Sequence, residues 1–294
     1  MEKPFVIKDM VKKYPGFQLG PLNLEMEQGT VLGYIGRNGA GKSTTMHCMV
    51  GLLKFDQGEI NIYGKPNDPI QNEWKQKIGY VGDYHVFYEK WSAEKNLKFK
   101  SRFYPAWSDK KTRELIKRFR LPVNKRAKDL SSGNRVKLSL ISVLAYSPKL
   151  LILDEPTAGL DPLVRDEVLE ELFEVLEDGE RAIFYSTHIL SDIKRLVDNL
   201  IFLDEGEIFL ETSKEDLLEK WRQITFHLTQ EDISLEAIAS RKKKGNEYQV
   251  ISHNFEKTLS QIKRLGATNI VMNRMGIDEI SVQVIKRGKD VAIG

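Results

Sequence analysis

The stretch "VLGYIGRNGAGKSTTMHCMVGLL", Val31 to Leu53, decides the fold. Val31–Gly36 reads as a short buried strand, and a helix is predicted from about Lys42 to Leu53. Between them, "GRNGAGKST" (Gly36 to Thr44) satisfies G-x-x-x-x-G-K-[ST]. A strand before this pattern and a helix after it are the context that makes it a phosphate loop. Gly36, Gly39 and Gly41 let the backbone wrap its N–H groups around phosphate oxygens, and Asn38 and Thr44 belong to the same cradle. Lys42 supplies a point charge at the outer phosphates, and the Ser43 hydroxyl suits Mg²⁺.

Further along, "LLILDEPTAGLD" (Leu150 to Asp161) opens as an apolar strand of the parallel-sheet type. It delivers Asp154 and Glu155 at its carboxyl end, where ligands of such sheets bind. After a complete phosphate loop, Asp154 fits the acid that holds Mg²⁺, directly or through water. Glu155 is then placed to orient and deprotonate an attacking water. "YSTHIL" (Tyr185 to Leu190) ends another apolar strand on His188. On its own that histidine would be an ordinary structural residue; the two preceding motifs give it a catalytic reading.

A third stretch, "DLSSGNRVKLSL" (Asp129 to Leu140), reads as a helix start, with polar Ser131, Ser132 and Gly133 before an apolar-periodic run. Free backbone N–H groups and the positive end of a helix dipole suit an anion. The chain therefore carries two anion-binding helix starts.

The remaining pattern alternates. "KIGYVGD", "AIFYST" and "NLIFLDEGEI" read as strands, and "VRDEVLEELFEVLED" as a helix with Val168, Leu169, Leu172, Phe173 and Leu176 on its apolar face. From about Ser92 to Ala145 the chain reads as helical, broken at Pro105 and Pro122. This predicts an α/β core with a helical insertion. After about Trp221, "ITFHLT", "EYQVIS" and "EISVQVIK" read as strands around a helical "FEKTLSQIKRLG", which predicts a small α+β unit.

Composition narrows the class. With 41% hydrophobic and 30% charged residues, the chain can form a packed core and is not a disordered one. The single Cys48 excludes an intramolecular disulfide and, in its apolar setting, reads as a buried structural thiol. "MEKPFVIKDMVKKY" has no apolar segment of the secretory type, and no apolar run is long enough for a bilayer. The net charge of +3 hides an asymmetry: Lys90 to Lys128 holds fourteen Lys and Arg against Glu94, Asp109 and Glu114, a net of +11, leaving −8 elsewhere. Such a block suits anionic headgroups or nucleic acid, or is simply a solvated helical face.

The order phosphate loop, helical insertion, "LSSGN", "LLILDEP", "AGLD" and strand-end histidine resembles the ATP-binding subunits of ABC transporters over residues 1 to about 220. The resemblance implies a P-loop ABC ATPase fold, ATP with Mg²⁺, and transport-coupled ATP hydrolysis in a head-to-tail dimer. It explains the second anion site: in that family each "LSSGN"-type loop, here Ser131 and Gly133, closes over the ATP held by the partner chain. It further implies that Tyr14 stacks on adenine, that Asp161 lies in the loop touching the partner, and that His188 contacts the γ-phosphate.

Two departures stand out. Ser132 and Asn134 replace a Gly and the Gln of the usual Leu-Ser-Gly-Gly-Gln, which requires a negative φ at Ser132. Asp83 stands where the family has a Mg²⁺-binding Gln; its oxygens can ligate the ion but add negative charge beside the phosphates.

The implied organisation is an ATP-binding domain over residues 1–220, with a helical subdomain at about 84–145, and an accessory α+β domain over 221–294. The implied partners are a polytopic membrane permease and a second ABC ATPase, as homodimer or heterodimer. The implied location is peripheral, on the cytoplasmic face of a bacterial membrane. Within the family the chain resembles exporter ATPases for drugs, lantibiotics and bacitracin, and more narrowly those for phenol-soluble modulins. The competing class is a soluble ABC ATPase acting on nucleic acid or ribosomes. It is disfavoured by the single phosphate loop and the absence of a heptad insertion.

Overall fold

A computed structural model describes residues 2–68, 70, 73–82, 87–176, 179–230 and 233–288. The chain opens with β1 (Phe5–Tyr14) and β2 (Phe17–Glu25), an antiparallel hairpin, then β3 (Val31–Gly36) and α1 (Lys42–Met49). β4 (Gln57–Ile62) returns to the hairpin with β5 (Lys65–Pro66), giving the sheet order β2-β1-β4-β5. β6 (Ile78–Val81) precedes the helical insertion of α2 (Ala93–Lys100), α3 (Asp109–Arg118) and α4 (Ser132–Leu144). There follow β7 (Leu150–Asp154), α5 (Pro162–Leu176), β8 (Ala182–Thr187), α6 (Leu190–Leu196) and the hairpin β9 (Asn199–Asp204) and β10 (Glu207–Ser213).

The central sheet runs β10-β9-β3-β8-β7-β6, parallel except for β10 at its edge. Every residue of β3, β7 and β8 is buried, as expected for strands covered on both faces. Because β8 lies between β3 and β7, the segments leaving their carboxyl ends emerge side by side. That adjacency positions the site. The N-terminal sheet packs on one side of the central sheet through Phe5, Met10 and Phe184. The insertion and α5 cover the other through Leu140, Leu144, Leu169 and Leu172. Full burial of one such leucine contributes about 1.5–3 kcal/mol.

After α7 (Lys214–Lys220) come β11 (Arg222–His227), β12 (Ile238–Lys244), β13 (Glu247–Ser252), α8 (Phe255–Arg264), β14 (Thr268–Arg274) and α9 (Ile277–Arg287). The strands form an antiparallel sheet in the order β12-β13-β11-β14. One face carries Ile224, Phe226, Tyr248 and Val250 against Ile262 of α8, a core of its own. α9 instead belongs to the larger core: Ile277, Ile280 and Val284 are buried with Ile193 and Leu196 of α6 and Leu217 of α7.

Several readings of the sequence are corrected here. "EISVQVIK" is not a strand but the body of α9. Its Ile, Ser and Val alternate, yet Ile277, Ile280, Ser281 and Val284 are the buried positions, which is helical spacing. Glu279 accepts the Gly276 N–H at 2.9 Å and fixes the helix start. Helix α1 stops at Met49 rather than Leu53; Gly51, at φ +72°, closes the turn there. "NLIFLDEGEI" is two strands joined at Glu205 and Gly206, both at positive φ. Phe173, placed on the apolar face of α5, is 39% exposed.

Candidate nucleotide site

A cleft of about 360 Å³ opens at the carboxyl edge of the central sheet. Asn38, Gly39, Gly41, Lys42, Ser43 and Thr44 form one wall; Glu155, Ala158 and His188 form the other. Gly36 just beneath leaves no room for a side chain, since a Cβ there would lie 2.4 Å from the Leu203 carbonyl oxygen. Gly41 has φ +113° and backs onto Leu19 and Phe17, so the loop geometry requires glycine twice over. The Lys42 ammonium is buried and donates to the Gly36 carbonyl at 2.9 Å and the Arg37 carbonyl at 3.3 Å. The Thr45 hydroxyl, one residue beyond the motif, anchors the first turn of α1 on the Gly41 carbonyl and Tyr34. Ser43 and Thr44 engage no other side chain among the described residues, leaving their hydroxyls for a ligand.

Opposite, Glu155 joins the two walls. Its Oε1 is 3.3 Å from Lys42 Nζ, and its Oε2 is 2.7 Å from His188 Nδ1. The His188 backbone N–H also donates to Oε2 at 3.3 Å. Glu155 has φ +50°, an uncommon conformation for a side chain-bearing residue. The Glu155 N–H holds it there by donating to the carbonyl and hydroxyl of Ser186 on β8. Ser186 in turn donates to Asp154 Oδ1 at 2.6 Å, so one serine orders both acids. The sequence reading passed over Ser186; its signal was its place two residues before His188 at the same strand end.

A second network lies beneath. Asp192 of α6 is fully buried and accepts from Tyr185 at 2.8 Å, from Arg165 Nε at 2.7 Å, and from Thr157. It ties the turn after Glu155, the start of α5 and the helix after His188 into one unit. Burial pushes the Tyr185 hydroxyl well above its ordinary pKa, so it acts as a donor. Asp192 was not singled out from sequence, because an acid on a short helix reads as solvated.

The other candidate residues lie apart from the cleft lining. Ser131 caps α4 and is exposed, its hydroxyl accepting from the Asn134 N–H at 3.3 Å. Gly133 is buried against Val164, where a Cβ would come within 3.0 Å. Ser132 lies inside α4 and is absent from the positive-φ residues, as its side chain requires. Asp161 caps α5, accepting from the Leu163 and Val164 N–H groups at 3.1 Å. Tyr14 is 42% exposed at the β1–β2 turn, its ring 6.5 Å from Phe17, which itself reaches Gly41. Asp83 lies outside the described residues.

A phosphate loop between a buried parallel strand and a helix, faced by acids from a parallel strand two places away in the same sheet, defines a P-loop nucleoside-triphosphatase site. Comparison with known proteins makes this specific. The family described as ABC transporter matches residues 19–158. The chain is 28% identical to the bacitracin transport ATP-binding protein BcrA of Bacillus licheniformis, over 93% of this chain and 90% of that one. It is 31% identical to the ABC transporter ATP-binding protein NatA of Bacillus subtilis, over 68% and 84% of the two chains. A solved ATP-binding subunit of an ABC transporter superposes with a TM-score of 0.66 at 27% identity, over 73% of this chain and 92% of that one. The chain belongs to the ABC transporter family, as an ATP-binding, ATP-hydrolysing subunit. Among the described residues no helix is long and apolar enough to cross a membrane.

Proposed function

We propose that the chain couples ATP binding and hydrolysis, in a head-to-tail pair of ATPase chains, to export of a peptide-antibiotic-like substrate through a separate membrane permease. The observation that carries this reading is the division of the site. The cleft is lined by the phosphate loop, Glu155, Ala158 and His188, and none of its lining comes from the start of α4. Ser131 caps that helix and is exposed, so its dipole and N–H groups are available to the γ-phosphate bound by a second chain. Asp161, at the start of α5, lies in the loop assigned to the same contact. The relation to BcrA, a bacitracin transport ATP-binding protein, along nearly the whole of both chains supports a substrate of that kind.

In this reading Lys42 leaves Glu155 for the β- and γ-phosphates. Glu155 then accepts a proton from the attacking water, and His188, held through Nδ1, directs its other ring nitrogen at the γ-phosphate. Ser43 and Asp154 offer hard oxygen donors, which fits Mg²⁺, an ion that keeps several waters and takes few protein ligands. Among the described residues no cluster of three His, Cys, Asp or Glu side chains provides a metal cage. When bound, Mg²⁺ would neutralise phosphate charge. Residues 221–294 are assigned an accessory role.

The permease is expected on the insertion, at a 410 Å³ groove lined by Phe87, Tyr88, Phe99, Phe103 and Lys100. The exposed Lys110 and Arg113 of the neighbouring α3 would lie toward headgroups. The nucleic-acid reading has no comparable feature beyond the basic block. The test is light scattering of Glu155→Gln with and without Mg-ATP. A dimer with ATP and a monomer without it support the two-chain site. A variant that binds ATP and stays monomeric, with the permease present as well, overturns it.

A further inference from the structure

A second cavity of about 360 Å³ lies between the C-terminal sheet and α9, well away from the phosphate loop in sequence. Its walls carry Gln223, Ser240, Lys242 and Gln249 from the sheet and Gln283 and Lys286 from α9. The strand registers explain why these share one face: Gln223 is opposite Ile251, Ser240 is also opposite Ile251, and Lys242 is opposite Gln249. The alternate residues Ile224, Phe226, Tyr248 and Val250 face α8. A sheet face covered by a helix is normally apolar. Here the apolar residues of α9 turn to α6 and α7, and the helix presents an amide and an ammonium to a polar sheet face.

The three glutamines are half-buried, and their amides take no protein partner among the described residues. Lys242 and Lys286 likewise have no carboxylate partner there, and the cavity lining contains no acid among the described residues. The nearest strand acid in sequence, Glu247, faces His227 at 3.5 Å. Three amides without protein partners offer donors and acceptors to whatever fills the cavity, and the two unneutralised ammonium groups select its charge. The volume falls within the range of small-ligand sites.

We propose that this cavity binds a small anionic polar solute, its phosphate or carboxylate between Lys242 and Lys286 and its hydroxyl-rich body against the three glutamines. Occupancy has a short route to the catalytic cleft. The buried side of α9 packs on α6, which begins two residues after His188 and is locked by Asp192 to the turn after Glu155. The ligand therefore biases the helix that follows His188.

The test is calorimetric titration of the full chain, saturated with Mg-ADP so that the phosphate loop is filled. Glucose 6-phosphate is the phosphate probe, gluconate the carboxylate probe and glucose the neutral one. One-to-one binding of at least one anionic probe is expected, with glucose at least about tenfold weaker. In Lys242→Glu/Lys286→Glu the same binding should weaken by about tenfold or more, with the basal ATPase rate unchanged. Which anion binds tells phosphate from carboxylate. No binding of either anionic probe, or equal binding by the double variant, overturns the site. Binding that leaves the wild-type ATPase rate unaltered overturns the route through α9.

Discussion

Glu155 Oε2 and His188 Nδ1 are 2.7 Å apart, while the other oxygen of the same carboxylate is 3.3 Å from Lys42. One acid thus holds both the phosphate-loop lysine and the strand-end histidine before nucleotide arrives. In the proposed mechanism, ATP binding exchanges the Lys42–Glu155 contact for a Lys42–phosphate contact and leaves Glu155 for water.

Replacing Glu155 by Gln removes the proposed base and loosens Lys42 in a single step. Turnover is expected to fall by about 10²–10⁴-fold. Affinity for Mg-ATP should be retained or raised, because an ion pair between groups 6% and 11% exposed no longer competes for the lysine. Phosphate release and equilibrium nucleotide binding on the same sample check both halves. Near-wild-type turnover would remove Glu155 from its role.

His188→Ala should also lower turnover, but leave Lys42–Glu155 in place and so leave nucleotide affinity close to wild type. The informative comparison is the split between the two variants: Glu155→Gln lowers the rate with affinity retained or raised, and His188→Ala lowers the rate with affinity close to wild type. If His188→Ala weakens ATP binding as much as hydrolysis, the histidine is a ground-state binder rather than a transition-state contact.

Asp192 supports a stability prediction. It is fully buried, and Arg165, Thr157 and Tyr185 all point at it. Asp192→Ala leaves a guanidinium and two hydroxyls without their acceptor and should cost about 3–5 kcal/mol. Denaturant unfolding measures it. Asp192→Asn keeps the shape and should cost less. A loss under about 1 kcal/mol for the alanine variant would show that the network is not coupled to folding.

What the sequence made legible follows from physics that is local. The loop from Gly36 to Thr44, the acids after β7 and the histidine after β8 are each written into a short run whose strand and helix neighbours are unambiguous. Their convergence follows from the order β3-β8-β7, which no single motif contains. Ser186 and Asp192 were invisible because their importance lies in bonds to residues between 7 and 35 positions away. "EISVQVIK" failed for a different reason. A short run of alternating β-branched residues fits both periods, and only packing on α6 selects the helix. Tyr14 shows a third case, since its exposed position beside Phe17 bears on the expected base stacking only through a nucleotide-bound state.

Lys100 carries the last prediction. It is half-buried in the aromatic groove of the insertion, its ammonium donating to Ser142 at 2.9 Å and lying 5.9 Å from the Tyr104 ring. No carboxylate faces it among the described residues, and burial pushes its pKa down to about 8. The sign follows from linkage. Below pH 8 both folded and unfolded chains hold the proton, and the folded state bears the full desolvation penalty. Between that value and the unfolded value of about 10.4, the folded chain releases the proton while the unfolded chain keeps it, so stability rises with pH. Lys100→Met should therefore stabilise the protein at neutral pH, by about 1–2 kcal/mol after allowing for partial solvent access. That advantage should shrink as pH rises toward 10. Taking the difference between variant and wild type cancels the opposing ionisation of Cys48, which burial pushes up to about 11. Urea unfolding of both proteins across this range measures it. In the proposed complex the same ammonium calls for a carboxylate from the permease. Lys100→Met should then weaken assembly with the permease even as it stabilises the isolated chain. A variant no more stable at pH 7 than wild type, with a pH-independent difference, would show that the ammonium is adequately solvated in the free protein.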